Sequence, residues 1–387
     1  MRICFLCNEY PPGPHGGIGT MTQVLARALV QARHQVRVVG MYPRDYPAPD
    51  YEEDQGVRVW RLRRPARRFG WVPARYQLFV TIARWARRGE IDLVEVPDWE
   101  GWVAGWPSLP VPVIVRLHGS ISYFAAEQGQ AIGRRVFWLE RASLRRADFW
   151  CSVSRYTARK TQQLFGLRSD ARAILYNPVK VPPAADPGIA TEFGKQVIFT
   201  GTLTAKKGII SLIKAWPRVI EACEEAELHI FGKDGRTKDG QSMQAFLRAL
   251  YNGRVEKSIR FHGHVDRAKL FETFQRARLA VFPSYAEAFA IAPLEAMAVG
   301  CPTIYSQRGS GPELIENGRD GLLIEPDQPH EIAEAIVRVL TDDRLARRLG
   351  EAGRERVMKN FSTPVLLASN EAFYQNCLSD FQRSAVG

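Results

Sequence analysis

Short apolar segments rich in Val, Ile and Phe alternate along the chain with longer segments of helical periodicity. This alternation is typical of βαβ units around a parallel sheet. In the first half the predicted strands are 2–7, 35–40, 57–62, 93–96, 113–118, 148–153 and 173–176, and the main predicted helices are 18–31, 75–88 and 134–147. The pattern therefore predicts an α/β fold.

A Pro-rich polar stretch at 181–188 interrupts this alternation and is typical of a linker. The alternation then resumes, with predicted strands 196–201, 228–232, 258–263, 279–284, 303–305 and 322–324. A last helical segment, 362–378, is expected to pack back on the first domain. We therefore predict two Rossmann-like domains, 1–180 together with 361–387 and 190–360. Ligands of parallel sheets bind at the carboxyl ends of the strands, so we expect the domains to face one another across a cleft.

Composition adds limits to this picture. The chain has 387 residues, 45% of them hydrophobic and 24% charged, which excludes disordered, collagen-like and disulfide-scaffold proteins. No uninterrupted apolar run reaches the roughly 18 residues of a membrane span, and the N-terminus does not resemble a secretory signal, so we expect a cytoplasmic protein. The cysteines and histidines show no metal-ligand spacing, and Cys4 and Cys7 are expected to be buried thiols on opposite faces of a strand.

Two groups in the first domain are candidates for ligand contact. A glycine-rich turn containing Gly16, Gly17 and Gly19 follows the first strand, so its amides can approach a phosphate or a sugar hydroxyl. The spacing is not the GxGxxG of dinucleotide enzymes, and a tight turn without a ligand is the alternative. His118 ends a predicted central strand and precedes a glycine, so we expect it to face the cleft rather than the core.

Two segments of the second domain carry charged candidates. The segment 201–208 ends a strand and opens a helix, which places Lys206 or Lys207 where either can meet an anion. It lacks the GxxxxGK spacing, so ATP hydrolysis gains no support. The segment 281–300 carries Glu287 in a loop, then a helix that we expect to start at Pro293 with Glu295 in its first turn.

The arrangement in 281–300 suits a nucleotide sugar. The backbone amides of 289–292 are expected to point at a diphosphate, with Glu287 and Glu295 in reach of hydroxyl groups on a sugar and a ribose. The alternative for Glu295 is a carboxylate that stabilises the helix dipole.

The order of these motifs resembles family 4 of the retaining glycosyltransferases, which have the GT-B fold of two Rossmann-like domains. The resemblance covers nearly the whole chain. It is carried by the GGIG turn, His118-Gly119, Val153-Ser154, Asn177-Pro178, Lys207-Gly208, Glu287 and Glu295 with seven residues between them, Gly309-Ser-Gly-Pro-Glu313, and Gly321.

The resemblance implies transfer of a hexose from a nucleotide diphosphate sugar, UDP favoured over GDP, to a sugar or lipid-linked acceptor held by the first domain. It implies catalytic roles for His118, beside the donor sugar, for Glu287, on the transferred sugar, and for Lys207, on the diphosphate. The implied donor-binding residues are Gly16, Gly17, Gly201, Thr202, Lys206, Lys207, Glu287, Phe289, Ala290, Ile291 and Glu295, with Glu295 on the ribose. No DxD triplet occurs, so neither a metal nor another cofactor is expected.

The chain departs from the family pattern at three positions. Thr202 stands where the family usually has Arg, and Ala288 and Ala290 stand where it usually has Gly. Lys206 and Arg308 are the candidates to replace the missing cation.

The formal net charge of +12 is concentrated between residues 61 and 90, which contain nine arginines and one acid, Glu90. Interleaved aromatic residues give this segment the composition of an interfacial helix on an anionic membrane surface. The alternative is an ordinary crossover helix with Leu78, Ile82 and Trp85 in the core. A nucleic-acid partner is not expected, because no recognised binding motif accompanies the charge.

An epimerase of the same fold is the alternative function.

Overall fold

The computed structural model describes residues 1–64, 70–182 and 194–386. The chain divides into two compact units, unit 1 (Met1–Pro178 and Thr363–Gly387) and unit 2 (Val179–Ser362). Each unit contains one mainly parallel sheet, so the predicted pair of Rossmann-like domains is confirmed. Most of the predicted linker, and the two cluster residues Arg67 and Arg68, lie outside the described residues.

The sheet of unit 1 has seven strands in the order β3-β4-β2-β1-β5-β6-β7. They are β1 (Arg2–Leu6), β2 (Gln35–Tyr42), β3 (Tyr51–Asp54), β4 (Val57–Arg63), β5 (Leu93–Pro97), β6 (Val113–Leu117) and β7 (Phe149–Ser152). The antiparallel edge strand β3 was not predicted, because its YEED sequence has no apolar alternation. The predicted strand 173–176 is wrong: an isolated bridge between Ser152 and Ile174 takes its place.

Five α-helices accompany this sheet in the described residues before the chain leaves unit 1. They are α1 (Gly17–Gln31), α2 (Trp71–Arg87), α3 (Ile121–Glu127), α4 (Arg134–Arg146) and α5 (Arg155–Phe165). Two separate apolar clusters form against the sheet, one containing Cys4 and the other containing Cys7. The two thiols therefore point to opposite faces of the sheet, as their spacing predicts.

The sheet of unit 2 has six parallel strands in the order β10-β9-β8-β11-β12-β13. They are β8 (Gln196–Thr200), β9 (Glu227–Phe231), β10 (Ile259–Gly263), β11 (Leu279–Phe282), β12 (Thr303–Ser306) and β13 (Leu322–Ile324). The helices are α6 (Ile209–Ala222), α7 (Met243–Arg248), α8 (Gly253–Lys257), α9 (Arg267–Arg276), α10 (Ile291–Ala298), α11 (Gly311–Leu314), α12 (Pro329–Thr341) and α13 (Asp343–Asn360). The strand order reverses between β8 and β11, which is the switch point where such sheets bind ligands.

The last helix, α14 (Thr363–Val386), belongs to unit 1, although unit 2 precedes it in the chain. Glu371 pairs with His34 at 2.7 Å, Asp380 pairs with Arg172, and Tyr374 is fully buried. The predicted return of the final helix is therefore confirmed. None of the helices in the described ranges has the length and apolarity needed to cross a bilayer.

Candidate active site

The loops with the strongest sequence motifs of unit 2 leave the sheet at its switch point. Neighbouring strands β8 and β11 are followed by the segments that carry Lys206, Lys207 and Glu287. Residues far apart in sequence are therefore brought to one edge of the sheet, where a parallel α/β sheet binds its ligand.

The two lysines lie on a short turn that is fixed against the loop after β11. Residues Ala205–Lys207 form one 3-10 turn, and Gly208, with φ +73°, is the N-cap residue of α6. A Cβ on Gly208 would lie 1.7 Å from the carbonyl oxygen of Pro283, so only glycine allows the two loops to meet here. The amide of Tyr285 donates to the carbonyl oxygen of Lys206 at 2.7 Å.

Lys207 and Glu287 form an ion pair through Nζ and Oε1, with side chains 29% and 12% exposed. Burial lowers the pKa of the Lys206 ammonium, the Glu287 carboxylate opposes that shift, and the Lys207 ammonium adds to it. Two ammonium groups and one carboxylate therefore interact in one partly buried place. The surplus of positive charge suits a dianionic diphosphate.

Helix α10 begins at Ile291 with Ala290 as its N-cap residue, not at Pro293 as predicted. Pro293 is the third helical residue, where its missing N–H still costs no hydrogen bond. No side chain caps this terminus in the part of the chain that the structure describes. The amides of the first turn therefore present a positive helix end toward the loop that carries Glu287.

Glu295 is the fifth residue of α10, so the predicted position in the first turn is wrong. Its side chain is buried and pairs with Arg267 of α9 at 2.5 Å. Burial raises the pKa of Glu295, and the Arg267 guanidinium opposes the shift. Because Glu295 lies beyond the first turn of α10, stabilisation of the helix dipole does not explain its place there. Arg267 escaped the sequence analysis because nothing in its local sequence shows that α9 lies beside α10.

The remaining predicted donor-binding residues surround these charges. Phe289 and Ala290 are buried, and Ile291 is half-buried. Gly201 directly follows β8, and its amide donates to the Phe231 carbonyl oxygen at 2.9 Å. Thr202 is exposed.

Arg308, one candidate for the missing cation, already forms ion pairs with two acidic residues. It pairs with Glu325 at 2.5 Å and with Asp327, and it stacks on Tyr285. Lys206 is therefore the better candidate for the second cation, because it already interacts with Glu287 and Lys207.

In the glycine-rich turn of unit 1, the backbone packing requires glycine at some positions and not at others. A Cβ on Gly19 would lie 2.0 Å from the carbonyl oxygen of Glu9, whereas a Cβ on Gly17 would meet nothing within 4 Å. A Cβ on Gly16 would lie 3.3 Å from the Glu9 carboxylate oxygens. The Gly19 amide donates to Oε1 of Glu9 at 2.8 Å, so a carboxylate already lies at this helix end. This arrangement favours a sugar hydroxyl over a phosphate as the ligand of the turn.

Gly17→Ala tests whether this turn meets a ligand. We expect an unchanged melting temperature, because the new methyl group has space, and a donor KM about tenfold higher, because the methyl obstructs a close-approaching substrate. Gly19→Ala is the matched control and is expected to lower stability instead. A donor KM unchanged in Gly17→Ala would assign the turn a purely structural role.

His118 follows β6, and its amide donates to Oδ1 of Asp98 at 2.9 Å. Asp98 follows the neighbouring strand β5 and is buried, which raises its pKa to about 8. Burial, and secondarily the Arg116 guanidinium, lowers the pKa of His118 to about 3. At neutral pH the His118 imidazole is therefore neutral, and the Asp98 carboxyl group that binds the His118 backbone amide is mostly protonated. The sequence analysis missed Asp98, although its place directly after a strand was the available signal.

The low pKa of His118 predicts how any catalysis at this candidate site depends on pH. Since the imidazole is already neutral throughout pH 5–8, turnover should show no limb near pH 6.5 from this residue. The measurement is kcat/KM against pH for the wild type and for His118→Gln. An acidic limb near pH 6.5 that disappears in the variant would contradict a neutral His118.

Part of the arginine-rich segment forms helix α2, and one side of this helix packs in the core of unit 1. Leu78, Ile82 and Trp85 of α2 are buried in unit 1, as the crossover-helix alternative requires. Arg61 is also buried, pairing with Glu52, and Arg63 pairs with Asp50 at 2.6 Å. Part of the positive charge therefore lies in the interior of unit 1. Trp71, Val72 and Tyr76 of α2 are exposed, and docking on an anionic membrane surface stays a prediction.

Two family profiles match most of the chain between them. The profile of the glycosyl transferases group 1 matches residues 189–356, and that of the glycosyl transferase 4-like domain matches residues 16–178. The first match contains the lysine turn and both glutamates, and the second contains Gly16, Gly17 and His118.

Individual proteins are similar over nearly the whole length. Glycogen synthase of Mycobacterium tuberculosis is 27% identical over 403 aligned residues, covering 97% of this chain and 94% of the relative. Sucrose-phosphate synthase from Thermosynechococcus elongatus superposes with a TM-score of 0.80 at 22% identity, covering 98% of this chain and 99% of that one. Anabaena HepE, solved with UDP and glucose, superposes with a TM-score of 0.76 at 17% identity, covering 97% and 100%.

Proposed function

Because the chain belongs to the glycosyl transferases group 1 and has the GT-B fold, we propose that it transfers a hexose from a nucleotide diphosphate sugar to a sugar or lipid-linked acceptor, with retention of the anomeric configuration. The bond between the anomeric carbon and the diphosphate oxygen breaks, and a bond to an acceptor hydroxyl oxygen forms. The hydroxyl proton leaves with the nucleoside diphosphate or to solvent.

The observation that carries this proposal is the Lys207–Glu287 pair next to the N-terminal end of α10. The departing diphosphate gains negative charge, and fixed cations and oriented amides stabilise such charge without reorganising. In the proposal Lys207, assisted by Lys206, neutralises the diphosphate, and Glu287 exchanges its lysine partner for a hydroxyl of the transferred sugar. Glu295, held by Arg267, accepts hydrogen bonds from the ribose.

In this proposal unit 1 binds the acceptor. His118, also in unit 1, lies beside the sugar that is transferred. A neutral imidazole can accept or donate a hydrogen bond to a sugar without repelling positive charge at the anomeric carbon. UDP is the first nucleotide to test, since a protein of the same fold was solved with UDP and glucose.

The test is a panel of UDP, GDP and ADP sugars, each with and without EDTA, read by thermal shift and by product formation. We expect one nucleotide to raise the melting temperature, EDTA to change nothing, and NMR to show a product of unchanged anomeric configuration. Donor consumption without any acceptor would indicate the epimerase instead. Absence of both a shift and a product with every donor would overturn the proposal.

A further inference from the structure

Unit 1 contains a second candidate site, a cavity of about 450 Å³ between α2, α4 and the segment after β5. Its described lining includes three arginines, Arg64, Arg75 and Arg135, whereas Glu100 is the only acid among these lining residues. The cavity wall is therefore strongly positive. Neither the motifs nor the proposed donor site accounts for that charge.

Two tryptophans hold the arginines in place. The guanidinium of Arg135 lies 3.9 Å from the ring centre of Trp71, and that of Arg64 lies 5.9 Å from the ring centre of Trp102. A guanidinium stacked on an indole keeps the N–H donors at its edge available for other partners. Planar donor sets of this kind recognise phosphate oxygens in pairs.

The third arginine is structural. Both terminal nitrogens of Arg75 donate to backbone carbonyl oxygens, those of Gly101 and Glu100, at 2.5 Å each. These bonds hold the turn in which Glu100 has φ +60°, a backbone conformation that costs free energy for any residue except glycine. Arg75 therefore shapes the cavity, which leaves Arg135 and Arg64, the latter 3.8 Å from a Glu100 carboxylate oxygen, as the cations that a ligand can meet.

The cavity lies at the edge of unit 1 where His118 lies. Its lining includes Ile121, three residues after His118, and Glu100, two residues after the Asp98 that binds the His118 amide. The cavity therefore borders the segments that follow the carboxyl ends of β5 and β6, which also carry Asp98 and His118. A site for one end of the acceptor is expected at such a place.

We propose that this cavity binds the phosphate group of a phosphate-bearing acceptor, through Arg64 and Arg135. The inference deepens the proposed function, on which it rests for the identification of the ligand as the acceptor. A phosphate carries more charge and more acceptor oxygens than a carboxylate, and so it matches two guanidinium edges and the excess positive charge of the wall.

The test measures binding of inorganic phosphate by calorimetry to the full chain in a Lys207→Ala background, which weakens the proposed diphosphate site. We expect Arg64→Gln and Arg135→Gln each to weaken phosphate binding about tenfold, the usual effect of losing one charge-assisted hydrogen bond. Arg87→Gln is the matched control: it removes an equal charge from an exposed position at the far end of α2, outside the cavity lining, and should have no effect. Equal affinities for all three variants, or no phosphate binding at all, would overturn the proposal.

A second arm separates a soluble acceptor from a lipid-linked one. Sedimentation with phosphatidylcholine vesicles is compared with and without phosphatidic acid, using the same variants. Phosphatidic acid binding that Arg135→Gln abolishes and Arg87→Gln retains would support the cavity with a lipid phosphate as ligand. Phosphate binding without sedimentation would support it with a soluble one. Sedimentation that both variants reduce equally would reflect general surface charge and would contradict a lipid phosphate in the cavity.

The outcomes also separate this inference from the proposed function, because phosphate binding needs neither donor nor turnover. Phosphate binding that depends on Arg135, in a protein that transfers no sugar, would keep the cavity and overturn the transferase. If the protein transfers sugar, but Arg64→Gln and Arg135→Gln change neither phosphate binding nor the acceptor KM, the transferase proposal stands and the cavity proposal is overturned.

Discussion

Replacing Lys207 by alanine is expected to lower kcat about a hundredfold or more. Removing one preorganised group that stabilises charge in the transition state typically reduces kcat by about this factor. Lys207 is fixed by the turn before α6 and pairs with Glu287, so its ammonium is already placed in the free protein. Donor affinity should fall less than kcat, since negative charge on the diphosphate grows as the bond breaks.

Lys214→Ala is the matched control for this experiment. Lys214 belongs to the adjoining helix α6 and is exposed, so its loss should leave kcat unchanged. Because Lys207 and Glu287 are partners, the combined effect of Lys207→Ala and Glu287→Gln should be smaller than the sum of the single effects. Wild-type kcat in Lys207→Ala, with an unchanged melting temperature, would contradict the site assignment.

Replacing Glu95 by alanine is expected to lower the free energy of unfolding by about 3–5 kcal/mol, the usual cost of leaving a buried charge without its partner. The Arg116 guanidinium is fully buried and binds both Glu95 oxygens at 2.8 Å. From α14, Asn370 accepts from Arg116 at 2.5 Å and Tyr374 donates to Glu95 at 2.7 Å. The same variant should therefore loosen the final helix.

The control is the exposed pair of Arg254 and Glu224, whose side chains are 66% and 69% accessible. Glu224→Ala should change stability by less than about 1 kcal/mol. Chemical denaturation, with limited proteolysis to follow α14, gives both readings. A Glu95→Ala protein as stable as Glu224→Ala would show that the buried network contributes little.

The misses of the sequence analysis have local causes. Strand β6 reads as an ordinary apolar strand with one arginine, and only pairing with β5 shows that Arg116 faces Glu95. The start of α10 was placed too late because Pro293 is acceptable anywhere in a first turn. The basic segment was split between interior and surface by packing, which composition does not encode.

The sequence alone determined the alternation of strands and helices, the two Rossmann-like units and the loops that carry Lys207, Glu287 and His118. Periodicity, glycine and proline positions are local properties, and they decide these features. Only the tertiary structure decided that Lys207 pairs with Glu287 across 80 residues, that Arg267 holds Glu295, and that Arg135 and Arg64 line one cavity. These contacts depend on which strands and helices become neighbours, and strand order is a property of the whole folded unit.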